Sequence, residues 1–574
     1  MAWAVGLLIL FLLVTLLLTE LRPALVFGMV FIALLLLDIV PAEQLFSNFV
    51  NPALIVLVLL VLMSVVLERT TLVSQLGAWC TKGNLRGVTL RTTLSAGLLS
   101  AFINNTAVVA ALMQRIANSQ HSTSKLLIPL SYAAILGGTM TLIGTSTNLL
   151  VNGFTLNADL PELGFFDFSL VGVPLFLMGL AIIVLVSLHL LPGKKAATEG
   201  NAENYFLEAQ VAVDSPLVGQ TIEAIGLRHL EQLFLVEIVR HHRCISPVSP
   251  SEPLQGGDTL VFSGDINATS LLSRFSGLSL YTEHASARDS NLVDVVVAPN
   301  AMVSGKTIKS LNFRRQFGAA VVAIKRGDHQ LNGGLGQIRL RGGDLLILAV
   351  GDDFFSRGSV SQNFVVVGNR NQTTSSLSHT ESLLFCCAAL TALAASLASL
   401  LPLYKGLIVL LAIAIATKLT SIHELRRRFP FELVLVIGSA LGLAQAISLT
   451  GLADNVASHI LELGQHSSPF GAMVILYIAT WLMTELITNN AAAAISFPIG
   501  LAIANQFNVD PLPFIMTVAF AASASFLSPF GYQTNLMVYS AGRYKPRDYF
   551  KAGLPLSICY GLGVIALVPV MFPW

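Results

Sequence analysis

Charge is what this chain has least of. Lys, Arg, Asp and Glu make up 11% of its 574 residues, 33 basic against 32 acidic, for a formal net charge of +1. A soluble domain carries about 25% charged residues, so a chain folded throughout in water is excluded. The balance of signs also removes any general attraction to nucleic acid. Cysteine is sparse: Cys80, Cys244, Cys386, Cys387 and Cys559 are scattered without metal-ligand spacing, which leaves no zinc site or disulfide framework to read. The vicinal pair Cys386–Cys387 sits in an apolar run and reads as small membrane-facing residues. Also missing are a Gly-x-Ser-x-Gly elbow, a Walker A loop, a His-Glu-x-x-His helix and a paired catalytic carboxylate. Nothing supports an enzyme or an ATP-driven pump.

What is present is apolar: 54% of the residues are hydrophobic, as in a polytopic membrane protein. Runs of spanning length lie at 3–19, 24–40 and 52–68. Two polar-interrupted stretches follow, 89–118 and 126–153, then a clean run at 169–191. A second apolar half repeats the series: 382–400, 404–420 and 431–449, interrupted stretches 470–505 and 513–540, and a last run at 552–572. The first run lacks a basic leader and is followed at once by another, so it reads as a retained span, not a signal peptide.

The interruptions carry a duplicated polar pattern. The first half has Ser100-Ala-Phe-Ile-Asn104-Asn105-Thr106 and then Gly144-Thr145-Ser146-Thr147-Asn148. The second has Thr484-Glu485-Leu-Ile-Thr488-Asn489-Asn490 and then Gly531-Tyr532-Gln533-Thr534-Asn535. Asn105 and Asn489 are offset by 384 (489 − 105), Asn148 and Asn535 by 387 (535 − 148). A continuous helix would bury these amides in the bilayer without partners, whereas two short helices meeting at a polar tip explain them, provided the open backbone lies in protein or a wet cavity. Stretches 89–118 and 470–505 therefore read as re-entrant hairpins, and 126–153 and 513–540 as broken spans. The alternative is that the clusters cap short helices or bond neighbouring spans.

Counting crossings from an external N-terminus places Arg22, Arg69, Lys82, Arg86, Arg91, Arg115, Lys125, Lys194, Lys195, Lys418, Arg426–Arg428, Arg543, Lys545, Arg547 and Lys551 inside. It places Asp38, Glu43, Asp159, Glu162, Asp167, Asp454 and Asp510 outside, with Lys405 the basic exception. This satisfies the positive-inside rule. Five crossings per half make the second repeat inverted, with both termini external. One hairpin opens to the cytoplasm and the other outward. Duplicated polar breaks in inverted halves are how many secondary transporters build a site at mid-membrane.

Residues 196–378 differ. They are polar, with strand-like pieces such as Thr259-Leu-Val-Phe and Asp344-Leu-Leu-Ile-Leu, and they hold their own repeat. Gly219-Gln-Thr221-Ile222 matches Gly305-Lys-Thr307-Ile308, and Gly257-Asp258 matches Gly343-Asp344, all at an offset of 86 (305 − 219). Two tandem α+β modules are predicted at 205–281 and 291–367, cytoplasmic because they follow Lys194-Lys195, with a polar linker at 368–380 back to the membrane. Gly333-Gly334-Leu-Gly336 reads as a hairpin turn and His241-His242 as surface.

A divalent oxyanion must shed water, and other donors must replace those hydrogen bonds. Helix N-termini favour anions, Asn and Thr side chains add donors and acceptors, and carbonyls freed at a break suit Na⁺. Few carboxylates fall within the apolar runs: Glu68, Glu432 and Glu485 are the candidates. Glu485 precedes Asn489 by one helical turn, where it serves cation binding or proton carriage, or else bonds the neighbouring broken helix. No Lys or Arg is placed to neutralise a dianion, which makes coupling cations necessary.

These residues resemble the divalent anion/sodium symporter family of sodium/dicarboxylate and sodium/sulfate cotransporters, whose hairpin tips carry Ser-Asn-Thr. Here the copies read Asn104-Asn105-Thr106 and Thr488-Asn489-Asn490, and Leu136-Gly137-Gly138-Thr139-Met-Thr141-Leu-Ile-Gly144-Thr145 is similar to the family's first broken span. The resemblance implies an all-α polytopic membrane protein of inverted repeats, with repeat 1 over 1–195 and repeat 2 over 380–574. It implies one Na⁺ at Ser100, Asn104, Asn105 and Gly144, and a second at Thr484, Thr488, Asn489 and Gly531. It places the anion against Asn104, Asn105, Thr106, Thr488, Asn489 and Asn490, with Thr145 and Tyr532 nearby. The family's Thr-Pro-Pro-Asn turns are replaced by Thr145-Ser146-Thr147-Asn148 and Tyr532-Gln533-Thr534-Asn535. The 205–281 and 291–367 modules resemble tandem TrkA-C domains, the C-terminal domains of K⁺-conductance regulators, which would take a small-molecule or nucleotide regulatory ligand. The implied protein is a homodimeric, multi-pass sodium symporter of the plasma (inner) membrane, carrying sulfate in preference to a C4-dicarboxylate. The readings of another class are an ion channel regulated by these domains, against which the missing Thr-Val-Gly-Tyr-Gly filter argues, and a membrane sensor.

Overall fold

A computed structural model describes the chain except residues 20, 68–69, 71–78, 81–82, 118, 120, 192, 194–205, 228–229, 231–232, 241–242, 246–247, 265–271, 273–274, 281–291, 300, 332–334, 352–353, 369–377, 399 and 464–467. Glu68, His241, His242, Gly333, Gly334 and most of the 368–380 linker thus lie outside the described residues.

The first half is helical: α1 (Ala2–Leu18), α2 (Pro23–Leu36), α3 (Pro52–Leu67), α4 (Leu85–Ser100), α5 (Asn105–Ala117), α6 (Leu127–Gly138), α7 (Ser146–Asn157) and α8 (Asp167–Leu190). The second half runs α9 (His379–Leu397), α10 (Leu403–Ala416), α11 (Phe431–Leu449), α12 (Leu452–Leu463), α13 (Pro469–Leu486), α14 (Asn489–Phe507), α15 (Leu512–Ala522), α16 (Gln533–Ala541) and α17 (Pro546–Met571). Among the described residues, six helices are long and apolar enough to cross a membrane. Their outward faces carry large exposed apolar side chains such as Leu177, Leu185, Leu384, Leu390 and Leu562, which suits lipid contact and not water.

Each half runs helix, tip, helix (α4–α5; α13–α14), then helix, break, helix (α6–α7; α15–α16), then one long helix (α8; α17). The halves interlock: α17 packs on α8, α16 on α6, and α11 on both α2 and α14. The runs predicted at 24–40 and 404–420 form shorter helices of 14 residues each. Asp38 and Lys418 take positive φ, 49° and 60°, and a left-handed residue stops a helix. The sequence pattern of apolar residues ran past those stops because hydropathy does not register backbone handedness.

Between the halves lie two antiparallel five-stranded sheets. The first comprises β1 (Phe206–Val211), β2 (Leu233–Arg240), β3 (Arg243–Ile245), β4 (Thr259–Gly264) and β5 (Leu278–Leu280). The second comprises β6 (Leu292–Val297), β7 (Ala319–Arg326), β8 (His329–Gln330), β9 (Leu345–Val350) and β10 (Phe364–Gly368). The orders are β3-β2-β4-β1-β5 and β8-β7-β9-β6-β10. The offset of 86 recurs at the strand starts. It recurs too in a bulge at Leu235/Glu237 and Val321/Ala323 and in an ion pair, Arg240–Asp258 at 2.8 Å and Arg326–Asp344 at 2.7 Å. Each sheet covers its own apolar core.

Candidate functional site

The first tip forms where α4 ends at Ser100 and α5 begins at Asn105. Ser100 is fully buried and its hydroxyl donates to Asn105 Oδ1. The Asn105 amide then donates to Tyr532 Oη at 2.8 Å, and Tyr532 Oη lies 3.1 Å from Thr145 Oγ1. Thr106 reaches Gln533 at 3.4 Å. Residues from the tip, the first break and the second break thus meet, and Tyr532 is the link between the halves. Gly138 makes this approach possible, since a Cβ there would lie 2.7 Å from the Asn105 amide. Gly144 is equally constrained: a Cβ there would lie 2.5 Å from the Gly138 carbonyl oxygen. The break is held by Asn148, whose amide donates to the Thr141 carbonyl at 2.9 Å. Thr141 in turn donates to the Ala101 carbonyl.

The second tip repeats this plan. Thr484, also fully buried, donates its hydroxyl to the Ala522 carbonyl at 2.5 Å, with Asn489 Oδ1 3.3 Å from the same oxygen. Asn535 donates to the Ser525 carbonyl at 3.0 Å and to the Ser528 carbonyl at 3.3 Å, the second bond matching that of Asn148 to Thr141 in the first half. A Cβ on Gly531 would strike Ser525 Oγ and come within 2.9 Å of the Thr484 carbonyl. Thr484, Asn489 and Gly531 are therefore brought together, with Ser525 added to them.

Other predicted residues sit differently. Asn104 is exposed and its side chain accepts from the Thr106 N–H at 2.9 Å, the geometry of a helix cap. Thr488 caps α14 through the Ala491 N–H at 3.4 Å. Asn490 Oδ1 is buried and has no hydrogen-bond partner among the described residues, an acceptor left open at the tip. No hydrogen bond joins Asn104–Thr106 directly to Thr488–Asn490 among the described residues. Glu432 is not an isolated intramembrane charge: it begins α11 and pairs with Arg22 at 2.8 Å. Glu485 bonds the second break, accepting from the backbone N–H groups of Phe526, Leu527 and Ser528 at 2.8, 2.9 and 3.1 Å. Sequence reasoning missed Gly138, Ser525 and Gln533. The signal was available for two of them, because Gly138 and Ser525 stand at the same offset of 387 as the paired asparagines.

Among the described residues, no group of three or more His, Cys, Asp or Glu could hold a metal ion. The citrate transporter family model matches residues 10–499 and 465–574. The chain belongs to the citrate transporter family. Among its relatives, an uncharacterized transporter of Synechocystis is 30% identical across 95% of this chain and 93% of its own length. Sodium/sulfate cotransporter 1 of Chlamydomonas reinhardtii is 30% identical over 63% of this chain, an alignment spanning 43% of that larger protein. Mouse solute carrier family 13 member 1 is 30% identical over 28% of the chain and 26% of its own. The crystal structure of the YdaH transporter of Alcanivorax borkumensis aligns over 96% of this chain and 98% of its own, at a TM-score of 0.45 and 11% identity, too distant to carry an argument. This member of the citrate transporter family is thus an anion transporter, and transport, not catalysis, is the work to be explained.

Proposed function

We propose that the chain is a sodium-coupled symporter of a divalent anion, with sulfate the favoured substrate. The observation that carries this is the duplicated pair Ser100–Asn105 and Thr484–Asn489, each closing a hairpin tip against a glycine of a broken helix. Each tip offers side-chain amides and a helix N-terminus to an anion and freed carbonyls to a cation. The cations would sit at Ser100, Asn104, Asn105 and Gly144 and at Thr484, Thr488, Asn489 and Gly531. The anion would lie between Asn105, Thr106, Asn489 and Asn490, with Thr145 and Tyr532 beside it. Asn104 and Thr488 would contribute through backbone as caps. Without a fixed Lys or Arg at the site, two Na⁺ offset the cost of dehydrating a dianion. Relatives named sodium/sulfate cotransporters favour sulfate. The same geometry would accept a C4-dicarboxylate, the second reading.

In this proposal the halves are inverted repeats, both termini are external, two copies form a dimer, and the site-bearing helices move against the rest in alternating access. The sheets are TrkA-C-like regulatory modules on the cytoplasmic side. Their placement supports regulation. The second sheet lies against α5 through β10 and against α16 through β6 and β7, so it touches two helices that begin at the site. The Gly327 N–H donates to Ser540 Oγ at 3.0 Å, and Lys545 pairs with Asp328 at 3.2 Å. On its other side, Arg22 donates to the Ala301 carbonyl at 3.1 Å while holding Glu432. A ligand that tilts this sheet would reach the site through nine residues of α16, a rod of about 13 Å.

The test is uptake of labelled sulfate and succinate into proteoliposomes, with and without an inward Na⁺ gradient. Wild type should accumulate sulfate only with the gradient, and Asn105→Ala should abolish it. Accumulation without Na⁺, or an Asn105→Ala variant that transports normally, would refute the proposal.

A further inference from the structure

The two breaks share a plan but not a carboxyl group. Glu485 stands at the offset of 384 from Ala101, and Ser525 at 387 from Gly138. The second half therefore has a carboxylate and a hydroxyl where the first has a methyl and a hydrogen. These two groups meet, with Ser525 Oγ 3.4 Å from Glu485 Oε2. Ser525 Oγ is also the atom a Cβ on Gly531 would strike, and the Thr484 carbonyl lies beside it. Glu485 thus stands one atom layer behind the cluster of Thr484, Asn489, Gly531 and Ser525.

Its surroundings fix its orientation. Three consecutive backbone N–H groups, at 526, 527 and 528, point to its two oxygens, so both oxygens serve as acceptors held behind Ser525. A Ser525 hydroxyl that donates to Glu485 turns its lone pairs the other way, toward Thr484 and Gly531. The first break has no such arrangement: Ala101 offers only its carbonyl, to Thr141.

We propose that Glu485 is a positioning residue that makes the two cation sites unequal, its carboxyl orienting the Ser525 hydroxyl so that the site at Thr484, Asn489 and Gly531 has the higher affinity for a monovalent cation. This rests on the sodium-coupled reading above. The first site, neutral in every side chain, then fills second and reports the anion. A carboxylate that only bolted the break in place would fix the backbone of 525–528 without affecting cations selectively.

The test uses the purified full-length chain and two readouts: the Na⁺ concentration that half-maximally raises its unfolding temperature, and Na⁺-driven sulfate uptake. Glu485→Gln puts an amide N–H where an acceptor stood and should raise the half-saturating Na⁺ about tenfold. The sulfate KM at saturating Na⁺ should hold. Ser525→Ala, which leaves the backbone bonds untouched, should give a smaller rise of about threefold, and Glu485→Asp should partly restore the wild-type value. An unchanged Na⁺ midpoint in Glu485→Gln overturns the inference. So does a fall of unfolding temperature, Na⁺ affinity and sulfate affinity together. If Glu485→Gln fails to fold, Ser525→Ala decides: an unchanged midpoint there is equally fatal. A wild-type chain that Na⁺ does not stabilise at all overturns the sodium-coupled reading, and this inference with it, and is distinguished from the other outcomes by the wild-type curve alone.

Discussion

The first and second polar breaks solve one problem with different side chains. Both set a buried hydroxyl in the last turn of one helix, start the next at an asparagine, and hold the adjoining break with a second asparagine donating to a carbonyl. The first then closes through small residues and a borrowed tyrosine: Gly138 admits Asn105, and Tyr532 arrives from the other half to receive it. The second closes through Glu485 and the N–H groups of 526–528, with Ser131 of the first half donating to Asn535 Oδ1 at 2.7 Å and Tyr132 to the Phe526 carbonyl at 2.6 Å. Each break thus takes partners from the other half, and the second adds a carboxylate bonded to its own backbone. A repeat that has been copied keeps its backbone plan, and what diverges is the set of contacts each copy makes with its neighbours.

That asymmetry predicts where substitutions hurt. Gly138→Ala should have the largest effect. Its methyl would lie 2.7 Å from the Asn105 amide and drive the tip residue aside, and uptake should fall about a hundredfold, as misplacements near 1 Å do. Ser525→Gly, the reverse change in the other half, should lower uptake far less, and initial rates for both in one vesicle preparation make the comparison. Equal losses would show that the halves are not held differently. Tyr532→Phe comes next. It removes the hydroxyl shared by Asn105 and Thr145 and leaves a buried amide short of a partner, a cost of about 1–3 kcal/mol. The sulfate KM should rise about tenfold, with the Na⁺ dependence of the second site unmoved.

The sheets give the smallest effect. Asp294 on β6 is buried beside Lys325 and near Arg543, and burial pushes its carboxyl up to about 6 from an ordinary 3.8, with the two cations pulling it back. Burial likewise pushes Lys325 down to about 8. For Asp294 the folded state binds the proton more tightly than the unfolded one. Stability of the second sheet should therefore increase as pH falls from 7 through 6 to 5, by about 1 kcal/mol. Asp294→Asn should flatten that slope. Hydrogen exchange of β6 and β9 at pH 5 and pH 7 measures it, and an unchanged slope would remove Asp294 from the account.

Much of the fold could be read in the chain. The tips at Asn104–Asn105 and Thr488–Asn489 were visible because amides in an apolar run need a helix terminus to satisfy them, and helices do end there. The sheets were visible through an offset of 86 shared by glycine turns and aspartates, and Asp258 and Asp344 turn out to anchor matching arginines. The stops at Asp38 and Lys418 were not visible, because a left-handed residue other than glycine leaves no mark on hydropathy. Nor was the pairing of Glu432 with Arg22, since nothing local ties residues 410 positions apart.

The amino-acid order by itself determined that this chain lives in a membrane, that each half breaks twice at asparagines, and that two like modules lie between the halves. These follow from hydrophobicity, helix termini and repetition, all of which act over short stretches. Only the tertiary structure decided that Tyr532 completes the first break, that Glu485 closes the second, and that one sheet of the two rests on α5 and α16. Such contacts arise from how packed helices bring distant residues within hydrogen-bonding reach, and a buried polar group takes whichever partner that packing provides.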